Sequence, residues 1–508
     1  MESDNKRVAK NTLILYFRML FMMLIGLYTS RINLQSLGVE DYGIYNVVGG
    51  VVIMFSIINS SISASISRFL TFELGKNNIK KLKKVFSTSV TIQIGISLII
   101  LLLAETIGLW FLNHKMVIPD SRIYAANWVY QFSILTFVLN LISTPYNACL
   151  VAHEKMSAFA WISIYDAIAK LLIAWLTFIV PIDKLIFFSG FVMLVAFTQR
   201  MIYTSYCVKK FEECRYHFCI DKNLFKEMFG FAGWNFIGAS SAILRDTGGN
   251  IVINLFCGPT VNAARGIANQ VNNAVLGFAN SFMTAINPQI TKSYASNDHE
   301  KTMHLIYKGA RFSFYLLLLL GLPIMMEAEY IIHLWLGQVP THTTLFVQLT
   351  ILYAMSESIS NPLVTAMLAT GKIRNYQIIV GGLQMLNLPV SYICLKNGYM
   401  PETIIIVAII LSQCCFVARI YMLRSMINLK VKEYFKQVYL NIILTLVIAY
   451  IAPLIAKLYL NNNLLDFILI LFISIISACI SILFIGCNFQ ERSFIYSNIN
   501  KIKNRILK

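Results

Sequence analysis

The sequence predicts an all-α polytopic membrane protein of about fourteen transmembrane helices with both termini in the cytoplasm. Three observations predict this. Hydrophobic residues make up 57% of the 508 and charged residues 13%, about half the charged share of ordinary soluble domains. At about 20 apolar residues per span, that composition supplies around fourteen spans. Long apolar runs are separated by short polar breaks, and the cations concentrate in alternate breaks. No soluble core of ordinary size would absorb so much apolar surface. Disordered and disulfide-rich secreted classes are excluded on the same composition.

The runs place helices near 11–34, 43–72, 85–112, 123–151, 158–180, 185–207 and 229–257. The second half continues with 261–291, 304–326, 343–369, 376–395, 402–423, 438–459 and 466–486. The first run is too long for a cleaved signal peptide and holds Arg18 and Arg31. Breaks on the N-terminal side carry Lys6, Arg7 and Lys10, then Lys76 to Lys84, Lys155, Lys209 to Lys226, Lys292 to Arg311, Lys372 and Arg374, and everything basic from Arg424 to Lys508 outside the spans. That side takes 29 of the 42 Lys+Arg residues; the other takes six, namely Arg31, Lys115, Arg122, Lys184, Lys396 and Lys457. Such asymmetry is the positive-inside signal. The formal charge of +18 is therefore an orientation signal facing an anionic leaflet and implies no nucleic-acid partner.

The loops hold no domain-sized insert and no P-loop, so the chain is no primary ATPase. Cys214, His217 and Cys219 have metal-ligand types, but no second pair completes a site, and no metal is predicted. Trp110, Trp161 and Trp234 fall near span ends, as aromatic belts do. The segment Tyr330–Gly337 is too short to span and reads as a turn lying on the outer surface.

Seven cations remain inside spans: Arg18, Arg68, Lys170, Arg200, Arg245, Arg265 and Arg419. Arg68, Arg200 and Arg419 lie close enough to cytoplasmic ends to snorkel. The other four are deeper, and a charge at the bilayer centre costs roughly 2.5–3.5 kcal/mol. At about 100° per residue, Asn262, Asn269, Asn272, Asn273, Asn280 and Asn287 share one face with Arg265. A lone buried Asn is ordinarily a helix–helix hydrogen bond; six with an arginine predict a water-filled cavity or a polar ligand. Asp166 and Lys170 stand at i,i+4 and read either as functional groups or as a self-neutralised pair. Arg245 and Asp246 are adjacent, and Gly248-Gly249 is expected to loosen their helix. Glu357 lies one turn before Asn361-Pro362, and Gln377, Gln384 and Asn387 follow on the next span. Amides suit sugar hydroxyls and arginines suit phosphate, so the lining fits a sugar attached to a phosphate.

The stretch Arg7-Val8-Ala9-Lys10-Asn11-Thr12, followed by Leu37-Gly38-Val39-Glu40-Asp41-Tyr42-Gly43, resembles the start of the bacterial polysaccharide-transport family. These are the O-antigen and capsule lipid-linked oligosaccharide flippases of the multidrug/oligosaccharidyl-lipid/polysaccharide exporter superfamily. Asn262–Val271, Leu334–Gly337 and Asn287-Pro288-Gln289-Ile290 resemble it too. The resemblance implies two pseudo-symmetric six-helix lobes, residues 1–228 and 229–436, with two further spans and a basic tail in 437–508. Gly38 and Gly258, about 220 residues apart, hint at such a repeat. It implies a central cavity open alternately to each side of a bacterial inner membrane. Through it a polyprenyl-diphosphate-linked oligosaccharide would pass to the outer leaflet, its lipid tail staying in the bilayer, for surface polysaccharide or lipopolysaccharide synthesis. It implies no cofactor and no enzyme activity.

Related flippases carry cavity arginines on helices one, two and eight, which Arg18 or Arg31, Arg68 and Arg265 match here. With Lys170 and Arg245 these would grip diphosphate, and Asn269, Asn272 and Asn280 would contact sugar. Asp166, Asp246 and Glu357 are the carboxylates chemically suited to proton or sodium coupling. A cation-coupled multidrug extruder of the same fold is the alternative, though several arginines would repel cationic drugs. A membrane polymerase or acyltransferase is a third reading; the short outer loops with His114, His333 and His342 show no catalytic arrangement.

Overall fold

The computed structural model describes residues 2–53, 56–114, 118–218, 221–336, 339–460 and 463–493. Lys115, Cys219, Gly337 and the tail cations Lys501, Lys503, Arg505 and Lys508 lie outside the described residues. Among the described residues every regular element is helical. The first group is α1 (Glu2–Ile53), α2 (Ser56–Gly75), α3 (Ile79–Leu103), α4 (Leu109–His114), α5 (Ile123–Ala152), α6 (Met156–Leu176), α7 (Lys184–Lys210) and the long α8 (Lys222–Ala295). Then come α9 (His299–Met326), α10 (Ala328–Leu336), α11 (Thr343–Thr370), α12 (Arg374–Met385), α13 (Asn387–Lys396), α14 (Thr403–Ile427), α15 (Val431–Tyr434), α16 (Asn441–Tyr459) and α17 (Leu464–Ser481). Single π turns join α3 to α4, α15 to α16, and follow α17.

Among the described residues, ten stretches are long and apolar enough to cross a membrane. The other four predicted runs lie outside those ten; 229–257, 261–291 and 343–369 are helical, and so are the described residues of 43–72. Polarity, including the asparagine stripe, sets the last three apart; 43–72 is described as two separate stretches, 43–53 and 56–72. Helices face outward with apolar side chains, such as Leu98, Leu102, Leu465 and Phe472, all more than half exposed, the reverse of a soluble surface. The segment expected to lie flat on the surface is the nine-residue α10, whose Tyr330 stacks on Phe467 at 4.4 Å.

Local sequence explains where helices start and bend. Asn78, Asp183 and Asp221 cap α3, α7 and α8 by accepting backbone N–H groups. Gly38 interrupts α1 at φ 80°, ψ 167°, and Gly258 interrupts α8 at φ 82°, ψ 179°. Only glycine adopts that conformation without strain. The two breaks are the same local structure recurring at the interval noted in the sequence.

Contacts divide the chain into two units, residues 1–240 with 284–298, and residues 241–283 with 299–508. In the first unit α5 packs on α7 and α1 on α6, around Val48, Ala126, Val129, Tyr130 and Leu185. The Tyr130 hydroxyl donates to the Ala104 carbonyl at 2.8 Å, satisfying an oxygen of the first π turn. One end of this unit is basic and joined by charge. Glu154, 7% exposed, accepts from Arg7 and Lys292 at 2.9 Å each and from Gln289 at 3.2 Å. Lys83 meets Glu212 at 3.1 Å. At the other end Arg122 bridges Asp41 (2.5 and 2.8 Å) and Asp183 (2.6 Å). Burial opposes it, but hydrogen bonds from Arg122 and the Ile186 and Leu185 N–H groups hold Asp183 below the usual carboxylate range.

In the second unit α9, α11 and α14 pack together, and α17 lies against α9 and α16. Arg311 donates to the Gly486 carbonyl at 2.9 Å and to Glu491 at 2.7 Å, tying α9 to the end of the chain's last described helix. His342 pairs with Glu402 at 2.6 Å. His342 follows Arg122 by 220 residues, the interval that separates the glycine breaks, and Glu402 follows Asp183 by 219.

Candidate substrate cavity

Beyond Gly258, α8 carries Arg265, Asn269, Asn272, Asn273 and Leu276, spaced so that all fall within one arc of about 100°. In the second unit this face borders a cavity of about 310 Å³, within the size range of small-molecule sites. Arg245 and Asp246 from the earlier part of α8 complete the wall, with Thr350 and Tyr353 from α11, Asn387 from α13 and Ile404, Ile405 and Ala408 from α14.

The two arginines are in different states. Arg245 is satisfied: Nε and Nη2 donate to Asp246 at 2.9 and 3.1 Å, and Nη1 donates to the Tyr353 hydroxyl at 2.5 Å. Arg265 is 7% exposed, and its buried Nη1 has no hydrogen-bond partner. Asn272 Oδ1 and Asn387 Oδ1 are likewise buried without partners. With Asp246 committed to Arg245, the lining carries one uncompensated positive charge. An unpaired buried cation is costly, and an anion hydrogen-bonded to its free N–H groups would relieve it.

Gly249 makes room for that cation. A Cβ there would stand 2.5 Å from Arg265 Nη1 and 3.1 Å from its Cζ. The Gly248-Gly249 pair was expected to loosen the helix, yet α8 stays helical through it and breaks only at Gly258. The glycines serve close approach instead.

Beside the large cavity lies a smaller recess bordered by Arg245, Tyr353, Glu357, Gln384, Asn387 and Ser412. Glu357 accepts from the Ser412 hydroxyl at 2.6 Å and lies 3.9 Å from Arg419. Ser412 shares a hydrogen bond with Ser356 at 3.0 Å, and Gln413 donates to Ser356 at 2.5 Å. A buried polar chain therefore leads away from the cavity wall. Arg419, expected to snorkel, is only 2% exposed; Glu357 on α11 offsets its charge at 3.9 Å, while its buried Nε and Nη1 have no hydrogen-bond partner.

The remaining candidates are placed as follows. Asn280 shares the Arg265 face but lies about 22 Å further along the axis, exposed and outside the cavity lining. In the first unit, Arg18 lies over the Phe159 ring at 4.4 Å, and its buried Nε has no hydrogen-bond partner. Arg31 is exposed. Arg68 sits against Phe69 and Phe72 at 4.5 and 4.6 Å. Lys170 and Asp166 pair at 2.8 Å, which is the self-neutralised arrangement. Sequence reasoning missed Tyr353 and gave Gly249 a different role, loosening the helix. Tyr353 stands one helical turn before Glu357, a spacing that could have flagged it.

Fold and cavity define the class first: a multi-pass helical membrane protein with a cationic, amide-lined chamber among its helices. The profile of the family described as polysaccharide biosynthesis protein matches residues 8–294; the chain belongs to that family. The MatE profile matches residues 247–393, and the two together place the chain in the multidrug/oligosaccharidyl-lipid/polysaccharide exporter superfamily. No curated protein matches. Among solved structures, a MATE transporter in its straight conformation superposes at TM-score 0.73 with 11% identity, covering 85% of this chain and 97% of its own. A Vibrio cholerae MATE transporter in its bent form gives TM-score 0.68 and 15% identity, with coverages of 84% and 99%. A Pyrococcus furiosus transporter of the superfamily, described as having a binding pocket of reversed polarity and a different function, gives 0.68 and 11%, with coverages of 84% and 97%. At these identities the likeness is one of fold. The chain is thus a transporter of that superfamily.

Proposed function

We propose that this transporter is a flippase for a polyprenyl-diphosphate-linked oligosaccharide, carrying it from the cytoplasmic to the outer leaflet by alternating access in a bacterial inner membrane. One observation carries the reading: Arg265 is buried without a partner for Nη1 in a cavity to which Asn269, Asn272, Asn273 and Asn387 contribute. Its guanidinium would take the diphosphate, and Asn269, Asn272 and Asn273 would exchange hydrogen bonds with sugar hydroxyls. Arg245 would hold the wall through Asp246 and Tyr353. Glu357, at the end of the buried polar chain, is the carboxylate best placed to couple transport to protons or sodium. Arg18 and Arg68 would assist in the first unit, and the role in lipopolysaccharide or capsule assembly follows from the substrate.

The experiment is transport of a defined lipid-linked oligosaccharide in proteoliposomes, with and without a proton or sodium gradient. Wild-type protein should translocate it, and Arg265→Ala should abolish translocation while reconstituting at the same level. Unchanged translocation by that variant would remove Arg265 from the site. A cation-coupled drug extruder is the second reading, favoured by the MatE match across the cavity-lining helices. Against it, the cavity's one carboxylate is already bound to Arg245. Raised drug resistance on overexpression, with no oligosaccharide transport, would decide for it.

A further inference from the structure

At the basic end of the first unit, α5 and the connection between α7 and α8 bring four metal-ligating side chains together. Cys149 and His153 stand at i,i+4 on the last turn of α5, so both project to one side. The single turn Glu212–Cys214 supplies Glu213 and Cys214. Ligand atoms of Cys149, His153 and Glu213 all lie within 4.8 Å of one another. Cys149 Sγ is 3.4 Å from Cys214 Sγ and 3.7 Å from Glu213 Oε1. His153 Nε2 is 2.5 Å from the same Oε1.

We propose that Cys149, His153, Glu213 and Cys214 bind one zinc ion. A tetrahedral site with bonds of about 2.3 Å to sulfur and about 2.0–2.1 Å to nitrogen and oxygen separates its ligand atoms by roughly 3.3–3.8 Å. The two distances from Cys149 Sγ, to Cys214 Sγ and to Glu213 Oε1, already have that value; Cys214 stands outside the group of three whose ligand atoms all lie within 4.8 Å, and its side chain turns toward them when the ion binds. The imidazole and carboxylate part by under about 1 Å to admit the ion between them, a small motion for an i,i+4 helix-end residue. The donor set of two sulfurs, one imidazole nitrogen and one carboxylate oxygen suits zinc and not magnesium or calcium. Burial is what a structural metal requires: Cys149 is 1% exposed, Cys214 0% and Glu213 5%. The His153 ring is already oriented by stacking on Phe211, 4.0 Å away with planes 13° apart. The third nearby thiol, Cys207, meets the Tyr146 carbonyl at 3.6 Å and also hydrogen-bonds with Cys214, a contact that Cys214 gives up on binding the ion. On binding, two Zn–S bonds form as both thiols release their protons to solvent, and no electrons move. The ion fastens residues 211–215 to the end of α5.

Protein purified through a tag without histidines, under reducing conditions and without chelator, should hold about one zinc per chain by elemental analysis. Cys149→Ser with Cys214→Ser should drop that to background. Chelator should lower the Tm of wild-type protein and leave that of the variant unchanged. Because both cysteines are buried and their loss disturbs packing as well, cobalt exchange into wild-type protein gives an independent reading, with thiolate-to-cobalt charge-transfer absorption expected. Zinc-free wild-type protein after reconstitution with zinc, equal zinc in the variant, absent thiolate–cobalt absorption, or a Cys149–Cys214 disulfide in place of metal would each overturn the site. None of these readouts depends on the transported substrate.

Discussion

The first unit settles its membrane-depth cations separately, whereas the second draws two of them to one cavity. Arg18 rests on Phe159, Arg68 on Phe69 and Phe72, and Lys170 on Asp166. Arg245 and Arg265 border the same chamber, and only one of the pair has a carboxylate. Aromatic faces and a helical ion pair are local answers, each worth about 0.3–2 kcal/mol. A guanidinium with a free buried donor beside unpaired amide oxygens is no local answer at all; it is completed by whatever enters. Cation count alone, therefore, does not find a binding site. Nor does a free donor alone, since Arg18 Nε also lacks a partner; Arg265 differs in bordering a cavity that holds an unpaired amide oxygen as well.

The sharpest way to break this comparison is to remove one arginine from each unit. Arg265→Ala should cost transport the full charge-assisted contact, about 100-fold or more. Arg18→Ala should cost less, about 10-fold, because a ring face replaces a ligand contact in its account. Both are read as initial rates in proteoliposomes at matched protein levels. Equal losses would dissolve the distinction between the units. Gly249→Ala comes next. Its new methyl group would collide with the Arg265 guanidinium, 2.5 Å away, and overpacking of this kind costs about 1–3 kcal/mol. Displacing the cation should raise the apparent KM for substrate by about 10-fold with little change in expression. A variant with wild-type KM would mean that Arg265 need not stand where it does.

Glu357→Gln is a milder probe because glutamine still accepts the Ser412 hydrogen bond. Transport driven by an ion gradient should fall toward the ungradiented rate, while substrate binding changes by less than about threefold. Retained gradient dependence would assign coupling elsewhere, and Asp246 would be the next carboxylate to change.

What the sequence reveals of all this follows from the range of each signal. The span pattern and the Arg265–Asn269–Asn272 face are periodic within one helix, so spacing alone exposes them. Gly38 and Gly258 were visible as a recurring interval, and their shared backbone break gives that interval a physical meaning. Groupings that join distant segments were not visible. Glu154 collects Arg7 and Gln289, residues from two of the stretches that resembled the family, yet nothing in either stretch names its partner. Cys214 was weighed with His217 and Cys219, its neighbours in sequence; the structure turns it instead toward Cys149, 65 residues away. Arg419 looked like a snorkelling end because Glu357 lies on another helix.

The smallest expected effect belongs to Asp166 and Lys170, and it tests the local answer most directly. The pair is an i,i+4 contact at 2.8 Å with the lysine side chain 42% exposed, so its coupling should be only about 0.3–0.5 kcal/mol. Asp166→Asn and Lys170→Met should each lower stability slightly, and the double variant by less than their sum. Transport should stay within about twofold of wild type in all three, since the pair satisfies itself. A double variant that folds normally but loses transport would show that the pair does more than neutralise itself. The first unit would then hold a functional charge of its own, and the contrast with Arg265 would be one of degree.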